Sequence, residues 1–402
     1  MDFTPLRQLS DLLIDRAPET IVRGYINILR QKSRFVGLRG SRGVGKSTLL
    51  LQYAKERRDE LGSSLLYVSL DELYFKKNKL VDFGREFVRQ GGKLLLLDEV
   101  HRYGEDWSVE LKLLYDSLPD LEVRFTSSSI IELSQAKGDL SRRAPLFDVY
   151  GLSFREFIQW SGGKKLPVYS LAEIIAKPGE IARELLRDGF KPMEYLKPYY
   201  RHGYYPYYWE NPELYRQTVN TVVNTLLEQD LRPVYNLSVT TTERLKKMLV
   251  AIAESVPYKP NMSKLAEFLG TNRATVQEYF YYLHQAQLIG LLPRQVRGII
   301  RTQKPEKVYL DNTNLLYALP VSEPSVGTLR ETFFYNALTT SGVDLGYAKS
   351  GDFMTDDYVF EVGGRNKTNK QIAGQANAYR VLDDIDVGFG NRIPLWLFGL
   401  LR

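Results

Sequence analysis

One eight-residue stretch, Gly40-Ser41-Arg42-Gly43-Val44-Gly45-Lys46-Ser47, limits the folds open to this chain more than any other feature. It matches G-x-x-x-x-G-K-[ST], and it lies between the apolar run RFVGL (34–38) and the amphipathic stretch TLLLQYAKERRDEL (48–61). The order predicts a strand, a glycine-rich turn and a helix, with the turn at a helix N-terminus where the dipole favours an anion. The glycines let backbone N–H groups curl around a polyphosphate, Lys46 reaches its outer phosphates, and the Ser47 hydroxyl can ligate Mg²⁺. Residues 40–47 together with Thr48 are therefore the expected nucleotide contacts.

A second element follows about fifty residues later. Leu94-Leu95-Leu96-Leu97 ends in Asp98 and Glu99, a hydrophobic strand closed by two carboxylates. Asp98 is placed to hold Mg²⁺ through water, and Glu99 to orient and deprotonate an attacking water. The adjacent glutamate separates hydrolases of this kind from kinases and small GTPases. No Asn/Thr-Lys-x-Asp guanine-reading motif occurs between 100 and 160, so ATP is expected rather than GTP. Apolar runs at 34–38, 64–70, 93–100 and 123–129 alternate with amphipathic stretches at 48–61 and 108–118, which predicts an α/β domain with a parallel sheet. The unbroken Leu94–Leu97 run suits a strand covered on both faces.

Two further features near the end of this region have double readings. Thr126-Ser127-Ser128-Ser129 is either a serine-rich turn capping a helix at 130 or a set of hydroxyls that senses a γ-phosphate. Arg142 and Arg143 are either a solvated basic pair or the source of an arginine that reaches the γ-phosphate, worth about 10³ to 10⁵ in rate.

Composition narrows the chemistry further. The 402 residues contain no cysteine, which excludes disulfides, thiolate nucleophiles, Cys-ligated zinc and iron–sulfur clusters. The three histidines, His101, His202 and His284, have no metal-ligand spacing. The segment 1–20 lacks the basic start and apolar core of a signal peptide, and no stretch reaches 18 apolar residues, so a soluble cytoplasmic protein without membrane contact is expected. Lys and Arg number 54 against 48 Asp and Glu, a formal charge of +6 that permits a polyanionic partner.

Beyond SGGKKLP (161–167) the strand and helix rhythm gives way to helical patterns at 171–187, 212–230 and 239–256. They flank YLKPYYRHGYYPYYWENP (195–212), either a packed aromatic connector or a stacking platform for bases. MSKLAEFLG (262–270), TNR (271–273) and ATVQEYFYYLHQAQLI (274–289) read as a helix-turn-helix, with GLLP and KVYL as strands of a wing. Residues 261–310 carry seven basic side chains (264, 273, 294, 297, 301, 304 and 307) against three acidic ones, and Arg294, Arg297 and Arg301 are the expected phosphate contacts if DNA binds there. The second helix offers few base-reading residues, which leaves a protein partner equally open. The tail predicts a helix over LRETFFYNALTTSG, strands near VDLGYAK and DYVFEVGG, a helix near KQIAGQANAYRV and a final strand PLWLFGL.

The order of these motifs, with LYVSLDELYF (66–75), LSRR and YGLSFREF between them and GYYP at 203–206, resembles AAA+ superfamily ATPases of a bacterial and archaeal group. In that group the P-loop core is followed by a helical connector, a winged helix and a nuclease-like module. The resemblance implies an α/β P-loop NTPase core with a parallel sheet over 1–160, a helical connector over 161–256, a winged helix-turn-helix over 257–320 and a small restriction-endonuclease-like α/β domain over 321–402. It implies an ATPase that binds ATP and Mg²⁺ through Lys46, Ser47, Asp98 and Glu99. A hydroxyl among Thr126 to Ser128, here assigned to Ser128, would be the phosphate sensor. Arg143 would act within the subunit or from a neighbour in a homo-oligomer. The tail departs from the nuclease pattern: Asp352 and Glu361 occupy acidic positions with Glu331 as a third acid, but Glu361-Val362-Gly363 lacks the lysine, leaving Lys367 or Lys370 to reach in. The expectation is a catalytically dead tail and an ATP hydrolysis cycle that acts as a conformational switch on the C-terminal modules. The alternatives are a DNA- or protein-binding factor with a structural nucleotide, and an ATP-regulated nuclease.

Overall fold

The computed structural model describes residues 3–104, 106–128, 140, 142–296, 304–320 and 322–402. The chain divides into two compact units, Met1–Tyr150 and Gly151–Arg402. The break falls ten residues before the expected end of the core at 160, because the helix that carries FREF belongs to the second unit.

The first unit contains α1 (Thr4–Asp15), α2 (Ile26–Leu29), β1 (Phe35–Gly40), α3 (Lys46–Leu61), β2 (Leu65–Ser69), α4 (Leu80–Arg89), β3 (Leu94–Asp98), α5 (Trp107–Ser117), β4 (Glu122–Ser128) and β5 (Leu146–Asp148). Among the described residues the strands form one parallel sheet in the order β2-β3-β4-β1-β5. Leu94 to Leu97 are each at most 1% exposed, as a strand covered on both faces requires. Burial of such a leucine contributes about 1.5–3 kcal/mol, which fixes β3 in the sheet interior. Because β4 inserts between β1 and β3, three strand ends converge at one edge. Gly40 lies beside Ser128, and Leu97 beside Phe125, so Asp98 follows next to Thr126. Crevices at the carboxyl ends of parallel strands, where the strand order reverses, are where ligands bind in open α/β sheets.

The second unit begins with α6 (Phe154–Gly162), α7 (Leu171–Ala176), α8 (Pro178–Leu186), α9 (Pro192–His202), α10 (Tyr215–Thr225), α11 (Arg232–Val234) and α12 (Val239–Ala253). The expected helix 171–187 is two helices, because Pro178 opens a new one. Next come α13 (Met262–Leu269), α14 (Arg273–Gln285) and the antiparallel pair β6 (Ile289–Leu292) and β7 (Lys307–Leu310). Asn261 and Asn272 cap the two helices by accepting from the Lys264 and Thr275 N–H groups. The unit closes with α15 (Thr313–Ala318), α16 (Val326–Thr340), β8 (Gly346–Tyr347), β9 (Phe353–Met354), β10 (Val359–Gly363), β11 (Ala378–Leu382) and β12 (Arg392–Pro394). These strands form a mixed sheet, β12-β11-β10-β9-β8, against which α16 packs.

Two expectations about the tail are corrected. KQIAGQANAYRV is not a helix: Gly374 and Asn377 adopt positive φ, which ends any helical path, and Ala378–Leu382 is strand β11. PLWLFGL is not a strand beyond Pro394. Leu395–Leu400 forms a 3₁₀ segment with every residue buried, so its unbroken hydrophobicity carries no strand signal. The aromatic run 195–212 is packed at its centre, while Trp209 near its end is exposed. Tyr199, Tyr200, Tyr204 and Tyr205 are buried among other rings and are not available to stack on bases. No described helix is long and apolar enough to cross a membrane.

Candidate nucleotide site

The turn between β1 and α3 is built by its glycines. Gly43 and Gly45 take φ of 82° and 92°, values that side-chain-bearing residues rarely adopt. At Gly40 an added Cβ would lie 2.1 Å from the Val149 carbonyl oxygen, so the close approach of the chain after β5 demands glycine. The first turn of α3 directs N–H groups that have no intrahelical acceptor toward the concave side of this loop. Lys46 is buried, and its Nζ donates to the Gly40 and Ser41 carbonyls, both at 2.8 Å. Arg23, which sequence reading did not identify, braces the loop from outside by donating to the Val44 carbonyl at 2.8 Å.

The carboxylates at the end of β3 are held by neighbouring strands. Asp98 is buried and accepts from the Tyr67 hydroxyl of β2 at 2.7 Å and from the Thr126 hydroxyl of β4. Thr126 Oγ1 in turn accepts the Glu99 N–H at 2.9 Å, so one hydroxyl spaces both acids. Glu99 sits in the left-handed region with φ 52°, a strained conformation that costs a non-glycine residue of order 1–3 kcal/mol. Its Oε2 lies 3.6 Å from Arg102 Nε and 3.9 Å from Arg42 Nη2. Burial, then the neighbouring Asp98, raise the Glu99 carboxyl above its usual value, while Arg42, Lys46 and Arg102 pull it down. His101 is neutral at pH 7, because burial lowers its imidazole to about 3. Among the described residues, Arg42 Nη1 is buried without a hydrogen-bond partner.

The structure thus brings Gly40 to Thr48, Asp98, Glu99 and Thr126 to one sheet edge. Ser128 is buried beside Gly40 in register, but it is Thr126, not Ser128, whose hydroxyl meets the carboxylates. Ser129 and the position 130 cap lie outside the described residues. Arg143 does not reach this edge. Its Nε pairs with Asp116 Oδ1 at 2.8 Å and its guanidinium lies 5.9 Å from the Tyr115 ring, near the end of α5. The same helix end meets Arg34, the residue before β1, so Arg143 sits where the strands begin rather than where they end. Arg142 is exposed. Because the Arg143–Asp116 pair is partly solvated, Arg143→Ala should cost about 0.2–1 kcal/mol of stability and leave single-chain nucleotide affinity unchanged. Thermal melts and a nucleotide titration check this, and a tenfold loss of affinity would contradict the placement.

In the second unit, Glu331, Asp352, Glu361 and Lys367 come together, with Lys367 Nζ 2.5 Å from Glu361 Oε1. Lys370 is exposed. Lys307, counted in the sequence as part of a basic wing, is instead buried against Glu331 and Asp352. Arg294 and Lys304 are exposed, and Arg297 and Arg301 lie outside the described residues.

Residues 32–158 match a family model described as an AAA domain, and residues 193–325 match one described as a domain of unknown function (DUF8612). No curated protein matches the chain. Similar solved structures include a signal transduction ATPase with numerous domains and a tetratricopeptide repeat sensor from Pyrococcus horikoshii. It is 15% identical with a TM-score of 0.28, over 81% of this chain and 46% of that one. AMPPCP-bound DnaA from Aquifex aeolicus is 14% identical with a TM-score of 0.27, over 70% and 88% of the two chains. PCH-2 from C. elegans is 17% identical with a TM-score of 0.25, over 46% and 50%. The chain spans about half the length of the first of these. The stretch that matches the AAA domain model, residues 32–158, contains the parallel sheet and the phosphate loop described above.

Proposed function

We propose that the first unit binds ATP with Mg²⁺ and hydrolyses it to ADP and phosphate. The observation that carries this reading is the convergence of Lys46, Asp98, Glu99 and Thr126 where β1, β3 and β4 end. The donor set suits such a ligand: helix N–H groups, a buried ammonium, and Arg42 Nη1, which has no partner among the described residues, for phosphate oxygens. Lys46 would exchange the Gly40 and Ser41 carbonyls for β and γ oxygens. Ser47 and Asp98 would hold Mg²⁺, which when bound draws negative charge off the phosphates. Glu99 would position the attacking water and take its proton. Its raised proton affinity favours that role.

In the same reading α13, α14, β6 and β7 form a winged helix, and hydrolysis switches the second unit. DNA is one partner for that hairpin, through exposed Arg294 and Lys304, and a protein client or a second copy of the chain is another. Arg143 would then serve only from a neighbouring subunit.

Phosphate release by the full chain with Mg-ATP, measured with and without duplex DNA, tests the proposal. Turnover that vanishes in Lys46→Ala and with a chelator is expected. Release no greater than the Lys46→Ala background, with ATP still bound by the unaltered chain, would replace the enzyme with a nucleotide-stabilised binding factor. Stimulation by DNA would select nucleic acid as the partner.

A further inference from the structure

A second set of charged groups, distinct from the nucleotide site, lies half-buried to buried in the C-terminal part of the second unit. Glu331 comes from α16, Asp352 precedes β9, and Glu361 lies on β10 with no exposed surface. Lys307 of β7 places its ammonium 3.2 Å from Glu331 Oε2 and 3.3 Å from Asp352 Oδ1. Lys367, from the turn after β10, pairs with Glu361 at 2.5 Å. The remaining contacts are also made by the chain. The Tyr309 hydroxyl donates to Glu331 Oε2 at 2.7 Å, and the Val362 N–H to Asp352 Oδ2 at 3.0 Å. The Gln371 amide, in the orientation that satisfies both groups, donates to Glu361.

Three carboxylates gathered where water reaches them only in part repel one another and need a compensating charge. The resemblance to nucleases implies a divalent cation in that role. The residues present do not fit one. Hard divalent cations take oxygen ligands at about 2.0–2.6 Å, and the space between Glu331 and Asp352 is occupied by the Lys307 ammonium at hydrogen-bonding distance. Among the described residues, no group of three or more acids and histidines is arranged to hold a metal ion.

We infer that Lys307 and Lys367 take the place of a divalent cation among Glu331, Asp352 and Glu361, so that the tail carries a latent cation site closed by its own lysines. Two consequences follow from the geometry. The cluster holds no metal-activated water, so the tail does not cleave nucleic acid. The Lys307 ammonium also pins β7 to α16 and to the edge of β9, making the cluster a clamp between the hairpin and the C-terminal sheet.

The test uses the full chain without nucleotide, in an Asp98→Asn background that removes the acidic ligand of the first unit. Mn²⁺ binding is followed by the electron paramagnetic resonance of the free ion, and unfolding by thermal melts. The parent should bind no Mn²⁺ and melt independently of it. Lys307→Met should melt lower, bind one Mn²⁺, and regain about 3 °C or more when Mn²⁺ is added. That regain should disappear when Asp352→Asn is added. A Lys307→Met protein that folds but ignores Mn²⁺ would overturn the inference. Should Lys307→Met not fold, the parent decides the matter: Mn²⁺ binding or plasmid nicking lost in Glu361→Gln overturns it, and intact plasmid with no bound Mn²⁺ upholds it.

Discussion

Glu99→Gln should lower ATP turnover by about 10²–10⁴ while leaving ATP affinity essentially unchanged. Glutamine keeps the size of the side chain and the backbone N–H that Thr126 Oγ1 accepts, so the strained left-handed turn and the spacing from Asp98 survive. What is lost is the oxygen that takes a proton from water. Burial and Asp98 raise the Glu99 carboxyl, so its charged form is lost on the acid side at a higher pH than for an ordinary glutamate. Turnover of the unaltered protein should therefore show an acid limb above the usual carboxylate range, and residual turnover in Glu99→Gln should lack it. Single-turnover phosphate release across pH, beside an equilibrium nucleotide titration, separates the outcomes. If Glu99→Gln loses affinity together with rate, the carboxylate is acting through Arg42, 3.9 Å away, to shape the phosphate loop rather than as a base.

The parts of this fold that were legible in the sequence are those whose signal is local. The phosphate loop, the doubly buried Leu94–Leu97 strand and the consecutive helices α13 and α14 are each written in contiguous residues, and the structure has these elements where the sequence pattern put them. What was not legible depends on pairing between distant segments. Thr126 is one hydroxyl among four until β4 is set beside β3. Only then does its neighbour in space become Asp98 rather than a helix cap. Arg143 carries the residue type of a phosphate-sensing arginine, but Asp116 and Tyr115 hold it where the strands begin. Lys307 looked like one positive charge on a wing, because counting charges cannot tell a solvated ammonium from one facing Glu331 and Asp352. At Ala378–Leu382 the local pattern suggested a helix, and sheet pairing with β10 and β12 overrode it.

Asn314→Leu should destabilise the second unit by about 2–5 kcal/mol, a large part of the ~5–15 kcal/mol that holds a typical domain folded. Asn314 is 1% exposed, and its one side chain ties three points of the aromatic connector to α15. Oδ1 accepts the Tyr204 N–H at 2.9 Å and the Tyr215 hydroxyl at 2.5 Å, and Nδ2 donates to the Tyr199 and Tyr200 carbonyls, each at 3.0 Å. Leucine has the same branched shape with bulkier methyl tips, so no cavity opens; the loss comes from hydrogen bonding with some added crowding, and it strands buried donors that water cannot reach. Asn314→Asp supplies the second arm. It retains an acceptor for Tyr204 and Tyr215 but turns a carboxylate toward two carbonyls, so it should be destabilising at pH 7 and recover in part as pH falls and the group takes up a proton. Denaturant unfolding at pH 5 and pH 7 reads both variants. A Leu variant within about 0.5 kcal/mol of the unaltered chain would mean that the tyrosine rings hold the connector by packing alone. Recovery confined to the Asp variant at low pH would instead place the stabilisation in the four hydrogen bonds, since protonation restores a donor without changing a single ring contact.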